Sequence, residues 1–205
     1  MAASVICISR AMGAGGEDVA RLVSDRLGFL YVDEEIIARA AERSGIDHEI
    51  VADEERRKSL VANLLAAMAD GGATFAAPPV DAAWITPASE DVRSFIRDAI
   101  EEVAAKGKAV IVAHAAAQAL GSNSGALRVL ITASPETRAT RVAAGDGLDG
   151  SAAAKAIKSS DLARADYLKR FYGLKELPTS YDLVINTDAL SFERAADVIL
   201  HAASL

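Results

Sequence analysis

The sequence predicts a three-layer α/β/α fold on a mostly parallel sheet. Three observations carry that prediction. Ala109-Val110-Ile111-Val112-Ala113 and Arg128-Val129-Leu130-Ile131-Thr132 are continuous apolar runs, the mark of strands covered on both faces. Amphipathic helical segments alternate with such runs along the chain. The first apolar run, residues 4–9, leads into the glycine-rich turn Gly13-Ala14-Gly15-Gly16 and then directly into a helix.

The elements follow in order. The first helix, 16–28, places Val19, Leu22, Val23 and Leu27 on one face and stops at Gly28. Phe29-Leu30-Tyr31-Val32-Asp33 reads as a second short strand, and a helix is expected from about Glu34 to Arg43. Asp53-Glu54-Glu55-Arg56-Arg57-Lys58 opens another helix reaching about Ala69. Gly71-Gly72, Pro78-Pro79 and Pro87 then punctuate a loop expected to cover a cleft or to move. Residues 89–106 form a helix with Val92, Phe95, Ile96, Ile100 and Val103 on its apolar side, before the buried strand at 109–113. A further helix starts at Pro135 after the strand at 128–132. Gly145, Gly147 and Gly150 break the chain before a charged helical pair at 151–172. Asp182-Leu183-Val184-Ile185-Asn186 supplies the last strand and 191–203 the last helix. We read 1–205 as one domain with a helical insert at about 45–90 and a lid at about 145–175.

Bulk properties exclude several classes. With a net charge of −7, the chain has no broad basic face for neutralising nucleic-acid phosphates. Cys7 is the only cysteine, so neither an intrachain disulfide framework nor a cysteine-rich metal site is available, which suits a reducing cytoplasm. Residues 109–120 are apolar but too short to span a bilayer. No Ser–His–Asp order with a nucleophile elbow and no metal-ligand spacing appears, so no protein metal site is expected.

The glycine turn is where chemistry concentrates. A strand, glycine loop and helix present backbone N–H groups and a helix N-terminus to one point, which suits phosphate. In the pattern G-x-x-x-x-G-K-[ST], a Lys reaches the phosphates and a hydroxyl holds Mg²⁺. If Gly15 ends that pattern, Gly16 and Glu17 stand where the Lys and the hydroxyl belong. Arg10, at the carboxyl end of the strand, can supply the missing charge or simply pair with Glu17 or Asp18. Asp33 can orient an acceptor or hold a metal through water, and it also suits the N-cap of the next helix. His114 follows the buried strand, where a structural role competes with a functional one. Arg138 and Arg141, three apart, share a helix face; for Arg141 a solvated face is the preferred reading. Lys155, Lys158, Arg164, Lys169 and Arg170 gather positive charge that could close over the loop, unless Asp161 and Asp166 pair with it.

Five stretches in order resemble the cytidylate kinase-like family, a branch of the P-loop nucleoside monophosphate kinases. They are Ile6-Cys7-Ile8-Ser9-Arg10 with Gly13-Ala14-Gly15-Gly16, Leu27 through Asp33, Leu130 through Arg141, Asp161-Leu162-Ala163-Arg164-Ala165-Asp166-Tyr167, and Tyr181 through Thr187. The resemblance implies ATP and Mg²⁺ as cofactors and γ-phosphoryl transfer to a nucleoside monophosphate, with a CMP-like acceptor favoured. A catalytically impaired nucleotide-binding regulator is the alternative, and a purely structural protein ranks third. On this reading the backbone of Gly13, Ala14, Gly15, Gly16, Glu17 and Asp18 cradles the phosphates, with Arg10 as partial substitute for the Lys. Asp33 orients the acceptor or a Mg²⁺ water, Arg138 and Arg164 clamp the phosphoryl group, and His114 and Lys158 touch the acceptor. The chain departs from the family at Ala113-His114, where relatives carry Gly-Arg, at Glu17, and at Ser159-Ser160. Nucleotides are the expected partners, nucleic acid and membrane are not, and a homodimer is left open.

Overall fold

The computed structural model describes residues 3–33, 97–98, 100–112, 115–121 and 125–205. The helices expected at 34–43 and 53–69, the punctuated loop, the 45–90 insert, and His114 lie outside these residues. Labels below follow the described elements only.

Strands β1 (Val5–Arg10), β2 (Leu30–Val32), β3 (Ala109–Val112), β4 (Leu127–Thr132) and β5 (Leu183–Asn186) form one sheet in the order β2-β3-β1-β4-β5. All four pairings are parallel, with Ile6 opposite Val110 on one side and Leu127 on the other. The central strand is therefore β1, and its carboxyl end delivers the glycine turn to the middle of the sheet edge where open α/β sheets bind ligands.

Alternation of side chains along β1 divides the core into two layers. Ile6 and Ile8 face α1 (Gly16–Leu27) and α5 (Phe192–Ala203), packing with Val19, Val23, Ala195, Ala196 and Ile199. Val5 and Cys7 face the opposite layer, with Ile100 and Val103 from helical residues 100–106 and Ala116 and Ala117 from α2 (Ala116–Leu120). Most of these side chains are sealed from water, each worth about 1.5–3 kcal/mol when large and fully buried. The alanines of α1, α2 and α5 let those helices sit close to the sheet.

α3 (Pro135–Asp146) and α4 (Gly150–Tyr172) form a hairpin beside the glycine turn, joined through Val142, Ala153 and Ile157 with Met12 packed against them. Three details differ from expectation. Residues 151–172 are not a helical pair but part of the single 23-residue helix α4, because no helix breaker lies between Gly150 and Gly173. Gly145 sits inside α3, whose end is set by Gly147 in the left-handed conformation. The apolar run after β3 conceals the short helix α2, which alanine-rich periodicity did not separate from the strand.

Candidate functional site

The turn from β1 into α1 is built so that only glycine fits at its corners. Gly13 and Gly15 both have φ 76, a left-handed conformation that L side chains rarely adopt. A Cβ on Gly13 would lie 2.7 Å from the Arg138 carbonyl oxygen, and one on Gly15 would run into the Phe192 ring. The Ala11 amide bonds to Ile131 O at 3.0 Å and the Ala14 amide to Ala11 O at 3.0 Å, which closes the turn. The Val19 amide then bonds to Gly15 O and starts the helical ladder.

The first amides of a helix have no partner within it. On three helices side chains cap them: Ser134 on α3, Asp149 on α4 and Ser191 on α5, whereas the short α2 has no side-chain cap. α1 begins at Gly15 with no side-chain cap. Its opening turn is thus an uncapped set of donors beside a glycine cradle, which fits an anion such as a phosphate.

Arg10 reaches this turn by lying across Gly16. A Cβ on Gly16 would stand 2.5 Å from Arg10 Cβ and 3.2 Å from its Cδ, so the position that carries Lys in the full motif is closed by the arginine stem. The guanidinium ends on Glu17, donating from Nε at 2.9 Å and also from Nη2 to the same carboxylate oxygen. The pairing with Glu17 that the sequence allowed is the one the structure adopts; Asp18 is not its partner. Asp33 joins this neighbourhood at the end of β2. The Tyr31 hydroxyl, pushed up chiefly by burial, is raised further by the Asp33 and Glu17 charges and held back by Arg21 and Arg10. Arg21 stacks over the Tyr31 ring at 4.4 Å.

The far side of the turn is held by α3 and by the end of β5. Arg138 is buried; its Nε donates to Met12 O at 2.6 Å and its two terminal nitrogens grip Asp161 at 2.7 and 3.0 Å. Arg141 is not on a solvated face. It donates to Thr187 Oγ1 at 2.9 Å and Thr187 O at 2.8 Å, approaches Gly13 O at 3.4 Å, and lies 5.1 Å from the Phe192 ring centre. The fully buried Thr187 hydroxyl donates to Ala14 O at 2.8 Å. Asp188 accepts from the Ser134 amide at 2.9 Å, tying the β5–α5 connection to the start of α3, and that bond draws its carboxyl below the usual aspartate range.

Arg164 stands apart from Arg138. Its Nε and Nη2 donate to Glu176 at 2.9 and 2.5 Å, and Nη2 lies 3.3 Å from Tyr181 Oη. Tyr181 in turn donates to Glu176 and receives Gln118 Nε2 at 3.0 Å, and the Ser9 hydroxyl bonds to it as well. Burial opposes the charges on Arg164 and Glu176, but their mutual bonding outweighs it, raising the arginine and lowering the glutamate. Lys158 lines a cavity of about 370 Å³ with Pro135, Ala154, Ile157, Asp161 and Leu162, next to the Arg138 pair. Among the described residues no group of three His, Cys, Asp or Glu could hold a metal ion, and no helix is long and apolar enough to cross a membrane. Sequence reasoning singled out Arg10, Asp33, Arg138, Arg164 and Lys158 but missed Thr187, Gln118 and Phe192 as parts of the site's frame. The Asn186-Thr187 pair at the end of β5 was the one signal available.

A parallel sheet of this order, with a glycine turn opening the helix after its central strand, defines the P-loop kinase fold. A model of the cytidylate kinase-like family matches residues 5–189, and the chain belongs to that family. Solved structures share the fold. An uncharacterized protein from Eubacterium ventriosum is 19% identical with a TM-score of 0.68, covering 97% of both chains. Shikimate kinase from Bacteroides thetaiotaomicron is 15% identical with a TM-score of 0.51, covering 97% of this chain and 96% of its own. TT1252 from Thermus thermophilus is 19% identical with a TM-score of 0.55, covering 97% of this chain and 96% of its own. None of the curated proteins compared matches the chain.

Proposed function

We propose that this kinase-family chain transfers the γ-phosphoryl group of ATP to a nucleoside monophosphate, with a CMP-like acceptor. The observation that carries the reading is Arg10 lying across Gly16, which brings a guanidinium to the uncapped first turn of α1. The amides at 13–18 hold the donor phosphates. Arg10 exchanges Glu17 for a phosphate oxygen when ATP enters, since a triphosphate offers it more negative charge than one carboxylate does. Asp33 orients the acceptor, and its carboxylate would hold Mg²⁺ through water, the ion supplying charge neutralisation between the phosphates. Arg138 and Arg164 are charge reserves on the α3–α4 side: exchange of Asp161 and Glu176 for a phosphoryl oxygen as the lid (about 145–175) closes gives the clamp that phosphoryl transfer requires. Lys158 and His114 serve the acceptor. The new bond forms from an acceptor phosphate oxygen to the γ-phosphorus, the bond to the β,γ-bridging oxygen breaks, and ADP leaves.

Glu17 favours a second reading, a nucleotide-binding regulator without turnover. Its carboxylate stands in the first helical turn and neutralises the cation expected to do the work. Thermal unfolding with Mg²⁺-ATP, with each nucleoside monophosphate, and with both, followed by ADP measurement in the same samples, separates the two. A midpoint shift with acceptor-dependent ADP release, strongest with CMP, is the expected result. A shift without release over all acceptors supports the regulator, and no shift overturns nucleotide binding.

A further inference from the structure

Tyr181 stands where β1, α2 and α4 meet the segment leading into β5. Its ring belongs to the core layer of Val5, Cys7, Ile111 and Ala117, and the residue is only 7% exposed, so its hydroxyl is held in place. Around that hydroxyl lie Ser9 of β1, Gln118 of α2, Arg164 of α4, and Glu176.

A count of donors and acceptors shows which of these is spare. A phenol has one proton to give and two lone pairs to receive. The proton goes to Glu176 Oε1. Three donors then compete for two lone pairs: Gln118 Nε2 at 3.0 Å, the Ser9 hydroxyl, and Arg164 Nη2 at 3.3 Å. Arg164 is the surplus donor, since 3.3 Å lies beyond the usual N–H···O range and the same nitrogen already has Glu176 Oε1 at 2.5 Å. Glu176 Oε1 is shared in its turn, by Arg164 Nη2 and the Tyr181 hydroxyl. Two donors on one oxygen divide its charge and their hydrogens repel, so each is held less firmly than it would be alone. When Arg164 departs, Tyr181 keeps two donors on its lone pairs and Glu176 keeps the phenol proton. A partly buried carboxylate stripped of every donor would bear a desolvation cost instead.

We infer that Tyr181 is a positioning residue that makes Arg164 the removable member of this cluster, keeping Glu176 bonded while the guanidinium moves to the transferring phosphoryl group. Only the destination of Arg164 rests on the kinase reading. Ser9 is the neighbour of Arg10, so the lid helix and the strand feeding the glycine turn meet at one oxygen.

Tyr181→Phe keeps the ring and deletes the hydroxyl. A phenol that simply braced the lid would, on removal, leave Arg164 looser. Here its removal frees Glu176 Oε1 for the arginine, which is then gripped harder. Solvent exchange of the Arg164 Nε–H in the unliganded protein, followed by nitrogen-15 NMR, therefore slows at least about threefold. Gln118→Met frees a lone pair of Tyr181 for Arg164 and slows the same exchange, which serves if Tyr181→Phe does not fold. Unchanged or faster exchange in a folded variant overturns this role. In turnover with Mg²⁺-ATP and CMP, Tyr181→Phe lowers kcat at least about tenfold with KM for ATP within about twofold, and adding Glu176→Gln restores most of the loss. A loss that Glu176→Gln deepens also overturns it. A wild type without turnover tells against the kinase reading and leaves the exchange result standing, so the two failures are told apart.

Discussion

Arg10 and Glu17 concentrate the functional question in two side chains. Their exposed pair contributes little to stability, under about 1 kcal/mol, because water screens it and both partners retain other options. On the proposed function its influence on a triphosphate at the turn is larger, since Glu17 would be a like charge at the phosphate's edge. Glu17→Gln keeps the shape and removes the repulsion, worth about 1 kcal/mol at this range in a wet site, or about fivefold in affinity. Tighter ATP binding with an unchanged unfolding temperature is expected from calorimetry and thermal melts; weaker binding would mean that Glu17 helps to position Arg10 for the nucleotide. Cys7 makes the opposite kind of residue-scale statement. Burial in β1 pushes its thiol up to about 12, so at pH 8 the folded protein holds almost no thiolate. Reaction with a chromogenic disulfide should be at least about 100-fold slower in the native protein than in urea. The buried neutral thiol favours the fold below its ordinary value near 9.0, an advantage lost as pH rises from there towards 12.

At the scale of elements, α4 shows what can and cannot be read from residue order. Helical character at 151–172 was legible, but as a helical pair; Asp149 and Gly173, which cap one continuous helix, are local signals that the reading left unused. The division of labour along α4 was not legible. Charges that look like one basic run separate into Lys158 beside the Arg138–Asp161 pair, Arg164 on Glu176, and Lys169 and Arg170 on another cavity. A helix turns about 100° per residue, so neighbours in sequence face different partners. The Arg164–Glu176 contact joins α4 to the segment leading into β5 and should give the protein an acid-sensitive joint. Glu176 is held below its ordinary value near 4.5, so its contribution is present above that value and disappears as pH falls through the lowered one. Glu176→Gln therefore destabilises the protein at pH 7 and flattens the fall of unfolding temperature below about pH 4.5 relative to wild type. Melts from pH 7 to 3 decide it, and parallel curves for the two proteins would show that Glu176 carries no proton-linked stability.

On the scale of the whole molecule, the glycine turn is shaped by parts of the chain far from it. The sheet was legible because each apolar run declares itself locally, and the turn was legible because four residues in a row carry it. What holds the turn was not: Thr187 donates to Ala14 O across 173 residues, and Phe192 fills the space that bars a side chain at Gly15. These contacts exist only once β5 has docked on β4, which no local pattern announces. If remote contacts fix the turn, loosening one should cost affinity beyond its cost in stability. Thr187→Val keeps volume and deletes the hydroxyl, leaving Ala14 O without that donor and Arg141 without one acceptor. The expected stability loss is about 1–3 kcal/mol, a drop of roughly 2–4 °C in unfolding temperature per kcal/mol for a domain of this size. Val103→Ala, in the core layer on the other face of the sheet, supplies a comparable loss that leaves the turn alone. With both variants fully folded at the assay temperature, Thr187→Val should bind ATP at least about fivefold more weakly than Val103→Ala, because the cradle's amides lose their alignment. Equal affinities would mean that the glycines hold the turn by themselves, and that the Thr187–Arg141 frame stabilises the fold without tuning the site.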